Sequence, residues 1–205
     1  MLQTTRSLKI LWESAAARLP GDVLVALDVD ETLLRSPDFF GSEKWYDKRI
    51  RECEDEGLSE SDAVWKANDE WELANQALWL VAVEEDTAAR LAQWQTHSPA
   101  MGLTARTPRY AKRTFEQLAK VGMFFQGARG AKDTDLNRLG SYEAGTLYVG
   151  PEGDKGKSLA AFLERLPKLP DAVFFADDRP AHIESMQREM ARMGVECRAW
   201  HFIVP

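Results

Sequence analysis

Residues 23–29 read Val-Leu-Val-Ala-Leu-Asp-Val, and Asp30-Glu31-Thr32-Leu33-Leu34 follow. An aliphatic run of this kind suits a strand covered on both faces, as in the interior of a parallel sheet. An ionised carboxylate without a partner is prohibitively unfavourable in such a place. Asp28 and Asp30 therefore mark the point where the strand leaves the core, and something must compensate for their charge. The chain is thereby restricted to folds in which a buried strand ends at a polar edge.

Four further runs have the same character: 99–104 (PAMGLT), 146–150 (TLYVG), 172–177 (AVFFAD) and 197–204 (CRAWHFIV). Helical patterns lie between them at 108–121, 156–166 and 180–193, with Pro108 and Pro180 at first-turn positions that tolerate proline. An amphipathic helix over residues 2–19, stopped by Pro20-Gly21, precedes the first strand. This alternation predicts an α/β fold, a Rossmann-like three-layer sandwich with a mainly parallel sheet and right-handed crossovers. One segment breaks the rhythm. In residues 36–96, Val64, Asn68, Trp71, Asn75, Leu78 and Ala82 recur at three- and four-residue steps, with Trp65 and Trp79 beside that stripe. They predict a small helical cap inserted into a core formed by residues 1–35 and 97–205. The acidic stretch 51–62 reads as a helix–turn–helix junction, and the tryptophans are expected inside the cap.

Composition narrows the partners. The chain has 205 residues and a formal net charge of -7, so no basic field draws in nucleic acid. No apolar run approaches the ~18 residues of a membrane-spanning helix, and the stretch after Arg6 and Lys9 is too short for a signal peptide. The expectation is a cytoplasmic protein, monomer or homodimer, with no membrane or nucleic-acid partner. Cys53 and Cys197 form no paired motif and suit a reducing compartment. His97, His182 and His201 lack the spacing of a zinc site.

In open α/β sheets reactive groups collect at the carboxyl ends of the strands. Here those ends lead to Asp28-Val29-Asp30-Glu31-Thr32, Thr104-Ala105-Arg106, Asp154-Lys155-Gly156-Lys157 and Asp177-Asp178-Arg179. Together they carry the chemistry of phosphoryl transfer. Asp28 is a candidate nucleophile and Asp30 a candidate general acid and base. Thr104 can donate to phosphoryl oxygens, and Lys155 or Lys157 can stand between nucleophile and phosphate. Asp28, Asp177 and Asp178 offer the hard oxygen ligands that Mg²⁺ prefers, and the ion would relieve repulsion between a carboxylate nucleophile and an anionic substrate. Thr32, Ala105, Arg106 and Trp45 are the candidate substrate contacts, whereas Lys112 and Arg113 read as a solvated helix face. Gly156-Lys157-Ser158 suggests a nucleotide-binding P-loop, but Pro151 stands where that motif needs its first glycine.

The order DxDxT at 28–32, a strand-terminal Thr104, a lysine and then the acid pair 177–178 resembles the haloacid dehalogenase (HAD) superfamily, over residues 22–204. An acid two positions past the nucleophile is similar to its phosphatase and phosphotransferase branches. DVDETLL, FGSEKWY, LTARTP and ADDRP also resemble a bacterial HAD subgroup described as of unknown function. The resemblance implies that Asp28 attacks phosphorus and that Asp30 is the acid/base. It further implies Mg²⁺ held by the Asp28 side chain, the Asp30 backbone carbonyl and Asp177, with Asp178 direct or through water. The insert would be a C1-type cap over the site. Lys155 is favoured as the motif lysine, because Lys-Gly-x-x-Leu at a helix start is a common form in the superfamily. His182 departs from the pattern, standing where related sequences often carry Asn or Asp. The activity implied is hydrolysis of a small phosphorylated metabolite. Phosphotransfer, protein dephosphorylation and phospho-ligand binding without turnover are the alternatives.

Overall fold

The structure, a computed structural model, describes residues 2–204. The chain runs β1 (Gln3–Thr5), α1 (Lys9–Ala16), β2 (Val23–Leu27), β3 (Leu34–Arg35), α2 (Glu43–Asp55), α3 (Glu60–Ala77), β4 (Val81–Ala82) and α4 (Thr87–Trp94). It continues with β5 (Ala100–Thr104), α5 (Ala111–Lys120), β6 (Thr134–Asp135), β7 (Ser141–Glu143), β8 (Thr146–Tyr148), α6 (Lys155–Leu163), β9 (Ala172–Asp177), α7 (Pro180–Met193) and β10 (Glu196–Phe202). The main sheet has the order β1-β10-β9-β2-β5-β8-β7-β6. Its first six strands are parallel, and β7 and β6 close it as antiparallel hairpins. β2 lies between β9 and β5, so the chain leaves it on one side and returns on the other. That reversal creates the crevice in which open α/β sheets bind ligands.

The aliphatic run at β2 is explained by its surroundings. Val23, Val25 and Leu27 face a layer containing Leu11 and Trp12 of α1, Leu91 and Trp94 of α4, and Leu118 of α5. Leu24 and Ala26 face the opposite layer, with Leu159 and Phe162 of α6 and Ile183 and Met186 of α7. All five β2 residues are buried. Successive strand side chains alternate between faces, and here each face is covered, so the strand must be apolar throughout. The result is the three-layer α/β sandwich expected from the sequence.

Three features differ from the sequence reading. Residues 3–5 are a strand, not the start of a helix: Gln3 aligns with Trp200, and Ile203 N–H donates to Thr5 carbonyl at 2.8 Å. Consecutive threonines favour extended backbone, and the open edge of β10 supplies the partners. Strands β6 and β7 are short and polar and escape detection by patterning. The β7–β8 turn uses Ala144 and Gly145, both at positive φ (47° and 82°), as a tight two-residue hairpin requires.

The third difference concerns the insertion. Helices α2 and α3 pack as an antiparallel pair, capped by Ser42 and Ser59, whose side chains accept from Trp45 and Asp62 N–H groups. Arg49 on α2 donates to Glu70 on α3 at 2.7 Å, and the β3–β4 ribbon joins the base of the pair. Helix α4, inside the 36–96 range that periodicity assigns to the insertion, packs on the sheet through Leu91 and Trp94. Asn68, Trp71 and Asn75 of the predicted stripe are buried with Ala63 and Ala67, whereas Ala82 lies beyond the helix in β4. Trp65 and Trp79 are 41% and 50% exposed, so of the three tryptophans on or beside the stripe Trp71 alone is buried. Two helices have one buried seam between them and the core, and a stripe of about 100° fills it. Among the described residues no helix is long and apolar enough to cross a membrane.

Candidate active site

Beyond β2 the backbone turns back on itself. Leu33 and Leu34 N–H groups both donate to the Val29 carbonyl (3.0 and 2.8 Å), and Glu31 takes a φ of 56°. The turn brings Thr32 under the strand end, where its Oγ1 donates to Asp28 Oδ2 at 3.1 Å. Asp28 itself is anchored by its N–H, which donates to the Ala176 carbonyl of β9 at 3.1 Å.

Lys155 arrives from the third strand end as the first residue of α6. Asp154 caps that helix by accepting the Lys157 N–H at 3.0 Å. A side-chain carbon at Gly156 would lie 2.5 Å from the Ser185 carbonyl oxygen, so glycine permits α6 to seat against α7. Lys155 is buried, and its Nζ donates to Asp28 Oδ1 at 2.5 Å and to Asp177 Oδ2 at 2.6 Å. Lys157 points to solvent and pairs with Asp154 at 3.6 Å. Of the two candidate lysines, Lys155 is the one that reaches the carboxylates.

Asp177, at the end of β9, accepts from Arg179 N–H at 2.9 Å and from His182 Nδ1 at 3.0 Å. Burial lowers the pKa of His182, against the pull of its hydrogen bond to Asp177. The carboxylates of Asp28, Asp177 and Asp178 bring oxygens within 4.8 Å of one another. Burial pushes Asp28 up to about 7 against the pull of Lys155. Burial next to Asp28 and Asp177 pushes Asp178 up to about 10. Burial also acts upward on Asp177, but Lys155 and His182 outweigh it and hold the group at about 2. Three carboxylates with one interposed ammonium form an all-oxygen donor set with excess negative charge, which fits a hard divalent cation.

These groups open onto a cavity of about 90 Å³ lined by Asp28, Asp30, Lys155 and Asp178 from the core and by Tyr46, Asn68 and Trp71 from the α2–α3 pair. Ala105, Arg106, Arg179 and His182 complete part of its wall. The Asn68 Nδ2 is buried without a hydrogen-bond partner among the described residues. Arg179 also reaches across to Glu43 of α2 at 3.3 Å.

Several predicted roles change. Thr32 is turned to Asp28 rather than to the cavity. Thr104 is fully buried, its Oγ1 accepts the Arg106 N–H at 3.2 Å, and it is not among the lining residues. Trp45 packs edge-on against Phe40, with centroids 5.2 Å apart, while Tyr46 lines the cavity in its stead. One residue along a helix is a rotation of about 100°, so neighbours in sequence face different surroundings. Arg106 lines the wall, but its guanidinium is occupied: Nε and Nη2 donate to Asp30 Oδ2 and Oδ1, each at 2.8 Å. Arg113 is not solvated; it donates to the carbonyls of Asn75 (3.3 Å) and Leu78 (2.7 Å) at the end of α3. Lys112 is exposed, as expected. Tyr46, Asn68 and Trp71 escape the motif reading, although Asn68, one of two asparagines on an otherwise apolar stripe, was a usable signal.

A mainly parallel α/β sheet that delivers an acid loop, a buried lysine and an acid pair to one switch point defines a Rossmann-like protein with a polar, metal-suited site. The chain belongs to the family described as "Protein of unknown function (DUF2608)", which matches residues 5–204. Two relatives carry the name "Putative outer membrane protein". One, from Chlamydia muridarum, is 23% identical over 185 residues, which is 87% of this chain and 70% of that protein. The other, from Chlamydia trachomatis serovar D, is 24% identical over 157 residues, 76% of this chain and 59% of that protein. Among solved structures, the HAD domain of effector protein Lem4 from Legionella pneumophila, in an inactive mutant, aligns with a TM-score of 0.49 at 14% identity, covering 90% of this chain and 87% of that one.

Proposed function

We propose that this protein is a Mg²⁺-dependent phosphomonoester hydrolase of the HAD type, working through an aspartyl-phosphate at Asp28. The observation that carries the reading is the Lys155 bridge: one buried ammonium holds Asp28 and Asp177 at 2.5 and 2.6 Å, with Asp178 alongside. A carboxylate kept beside a fixed cation at a strand end is poised to attack an anionic phosphorus centre.

In the first half-reaction an Asp28 oxygen bonds to phosphorus, the ester P–O bond breaks, and Asp30 delivers a proton to the departing oxygen. In the second, Asp30 takes a proton from a water molecule whose oxygen attacks phosphorus, the bond to Asp28 breaks, and inorganic phosphate leaves. Asp28, Asp177 and Asp178 would hold Mg²⁺, which when bound offsets the negative charge that repels an anionic substrate. Lys155 neutralises the nucleophile throughout, and His182 and the Arg179 N–H hold Asp177 in orientation. A cavity of about 90 Å³, walled on one side by the α2–α3 pair, favours a small phosphate ester over a folded partner. In this reading the α2–α3 pair is the cap.

Phosphate release from 4-nitrophenyl phosphate with Mg²⁺ tests the proposal. Asp28→Asn should lower turnover by at least about 100-fold. Unchanged turnover in that variant overturns the mechanism.

A further inference from the structure

Arg106 has the look of a phosphate ligand in the sequence, yet four of its five N–H donors are spent inside the protein. It leaves β5 and is almost wholly buried. One edge of the guanidinium forms the fork to both Asp30 oxygens, at 2.8 and 2.8 Å. The opposite corner, Nη1, donates to Thr114 Oγ1 at 3.0 Å and to Gln117 Oε1 at 2.8 Å on α5. The planar group also lies near two rings, with Cζ 5.1 Å from the Trp71 centroid and 5.4 Å from that of Tyr110. Planar forks of this kind fix direction as well as distance.

Asp30 needs such a hold. It stands on the turn beyond β2 with a carboxylate that is 36% exposed toward the cavity. Burial does not orient it, and the fork does. The fork in turn depends on α3. Gln117, which grips Arg106 through its oxygen, donates through Nε2 to the Asn75 and Leu78 carbonyls at 3.2 and 3.3 Å, where α3 ends. Trp71 belongs to the same helix. A chain of contacts thus runs from α3 through Gln117 and Arg106 to Asp30.

We propose that Arg106 is the positioning residue for Asp30, and that helix α3 sets its place through Gln117 and Trp71. Arg106 acts on the reaction only through Asp30. The inference rests on the acid/base role given to Asp30 above. Lysine cannot replace the arginine, since a single ammonium cannot engage both oxygens and both α5 acceptors together.

A double-mutant cycle on the full chain, with Mg²⁺, decides this. Arg106→Lys, Asp30→Asn and the double variant are assayed on an aryl phosphate and on an alkyl phosphate. Arg106→Lys should lower kcat about tenfold or more with KM within about threefold, and the loss should be larger on the alkyl ester, whose leaving oxygen needs the proton more. In the Asp30→Asn background the same change should alter kcat by less than about twofold. Losses that multiply independently overturn the inference, as does a rise in KM at constant kcat, which would make Arg106 a substrate contact. If Arg106→Lys melts below the assay temperature, Gln117→Ala carries the test. It should lower kcat in the same sense, and that loss should vanish in the Asp30→Asn background. A drop in Tm with kcat unchanged overturns the link. Absence of turnover by the unaltered protein on both esters overturns the proposed function and this inference with it. Turnover with independent losses overturns the inference alone.

Discussion

Lys155 is the residue on which the local charge balance turns. It stands between Asp28 and Asp177, with both partners buried. Removing one member of a buried ion pair leaves an uncompensated charge and costs about 3–5 kcal/mol. Lys155→Met should therefore lose about that much stability at pH 8 in denaturant unfolding of the metal-free protein. Protonation of the carboxylates should shrink the loss at lower pH. The raised values of Asp28 (about 7) and Asp178 (about 10) set the sign for the unaltered protein. Groups raised above the unfolded carboxylate value stabilise the fold in acid, and that contribution fades as pH climbs through the folded values. Asp177, held at about 2, acts oppositely, but its contribution is lost only in strong acid. The metal-free protein should thus lose stability from pH 5.5 to 8.5, and Mg²⁺ should raise Tm more at pH 8.5. An equal Mg²⁺ effect at both values in a thermal melt would contradict the charge argument. At this scale the sequence brought Asp28, Lys155, Asp177 and Asp178 to one edge, and the structure places their side chains together there. The sequence was uninformative about Thr32, Trp45 and Arg106, whose roles depend on where each side chain points.

The elements that carry these residues were legible wherever burial shaped them. Helices α5, α6 and α7 show apolar periodicity because each packs one face on a core layer, and the parallel strands beside β2 are apolar throughout because both layers press on them. Strands β1 and β6 gain hydrogen bonds rather than burial, and β7 buries Tyr142 alone, so they leave little trace in residue type. Gly156 shows the same limit from another side. In sequence it belongs to a Gly-Lys-Ser string that suggests a phosphate loop. In the fold it is a contact between helices, since an added carbon would meet both the carbonyl oxygen and the hydroxyl of Ser185 at 2.5 Å. Gly156→Ala should push α6 off α7 and destabilise the protein by about 1–3 kcal/mol. Because Lys155 is the adjacent residue, phosphate release should fall with it. Denaturant unfolding and the phosphatase assay read the two effects separately, and an alanine variant with native values in both would refute the contact.

At the scale of the molecule, the sandwich and the α2–α3 pair are held by different forces. The sandwich rests on two apolar layers. Beyond the buried seam where Trp71 meets Tyr110, with centroids 5.8 Å apart, the helical pair meets the rest of the chain through polar and charged contacts: Arg109 to Glu72 at 2.7 Å, Trp65 to Glu152 at 2.7 Å, and Arg179 to Glu43 at 3.3 Å. Exposed ion pairs contribute little and are screened by salt, whereas apolar burial is not. Raising NaCl to about 1 M should therefore speed amide exchange in residues 43–77 several-fold and leave β2, β5 and β9 within about twofold. Uniform acceleration across the chain would show that the pair and the sandwich open as one.

The sequence by itself determined the order of the elements, the layered α/β plan and the set of acids and lysine gathered at one edge. These follow from local regularities, the period of apolar residues and the breaks that end them. Tertiary structure decided which of those groups meet. Lys155 reaches Asp28 across 127 positions, and Arg106 reaches Asp30 across 76. Only folding showed that Arg106 grips an acid, that Tyr46 rather than Trp45 faces the cavity, and that α4 belongs to the sheet. A side chain's partner depends on its direction and depth in the packed molecule, and neither is written in its own neighbours along the chain.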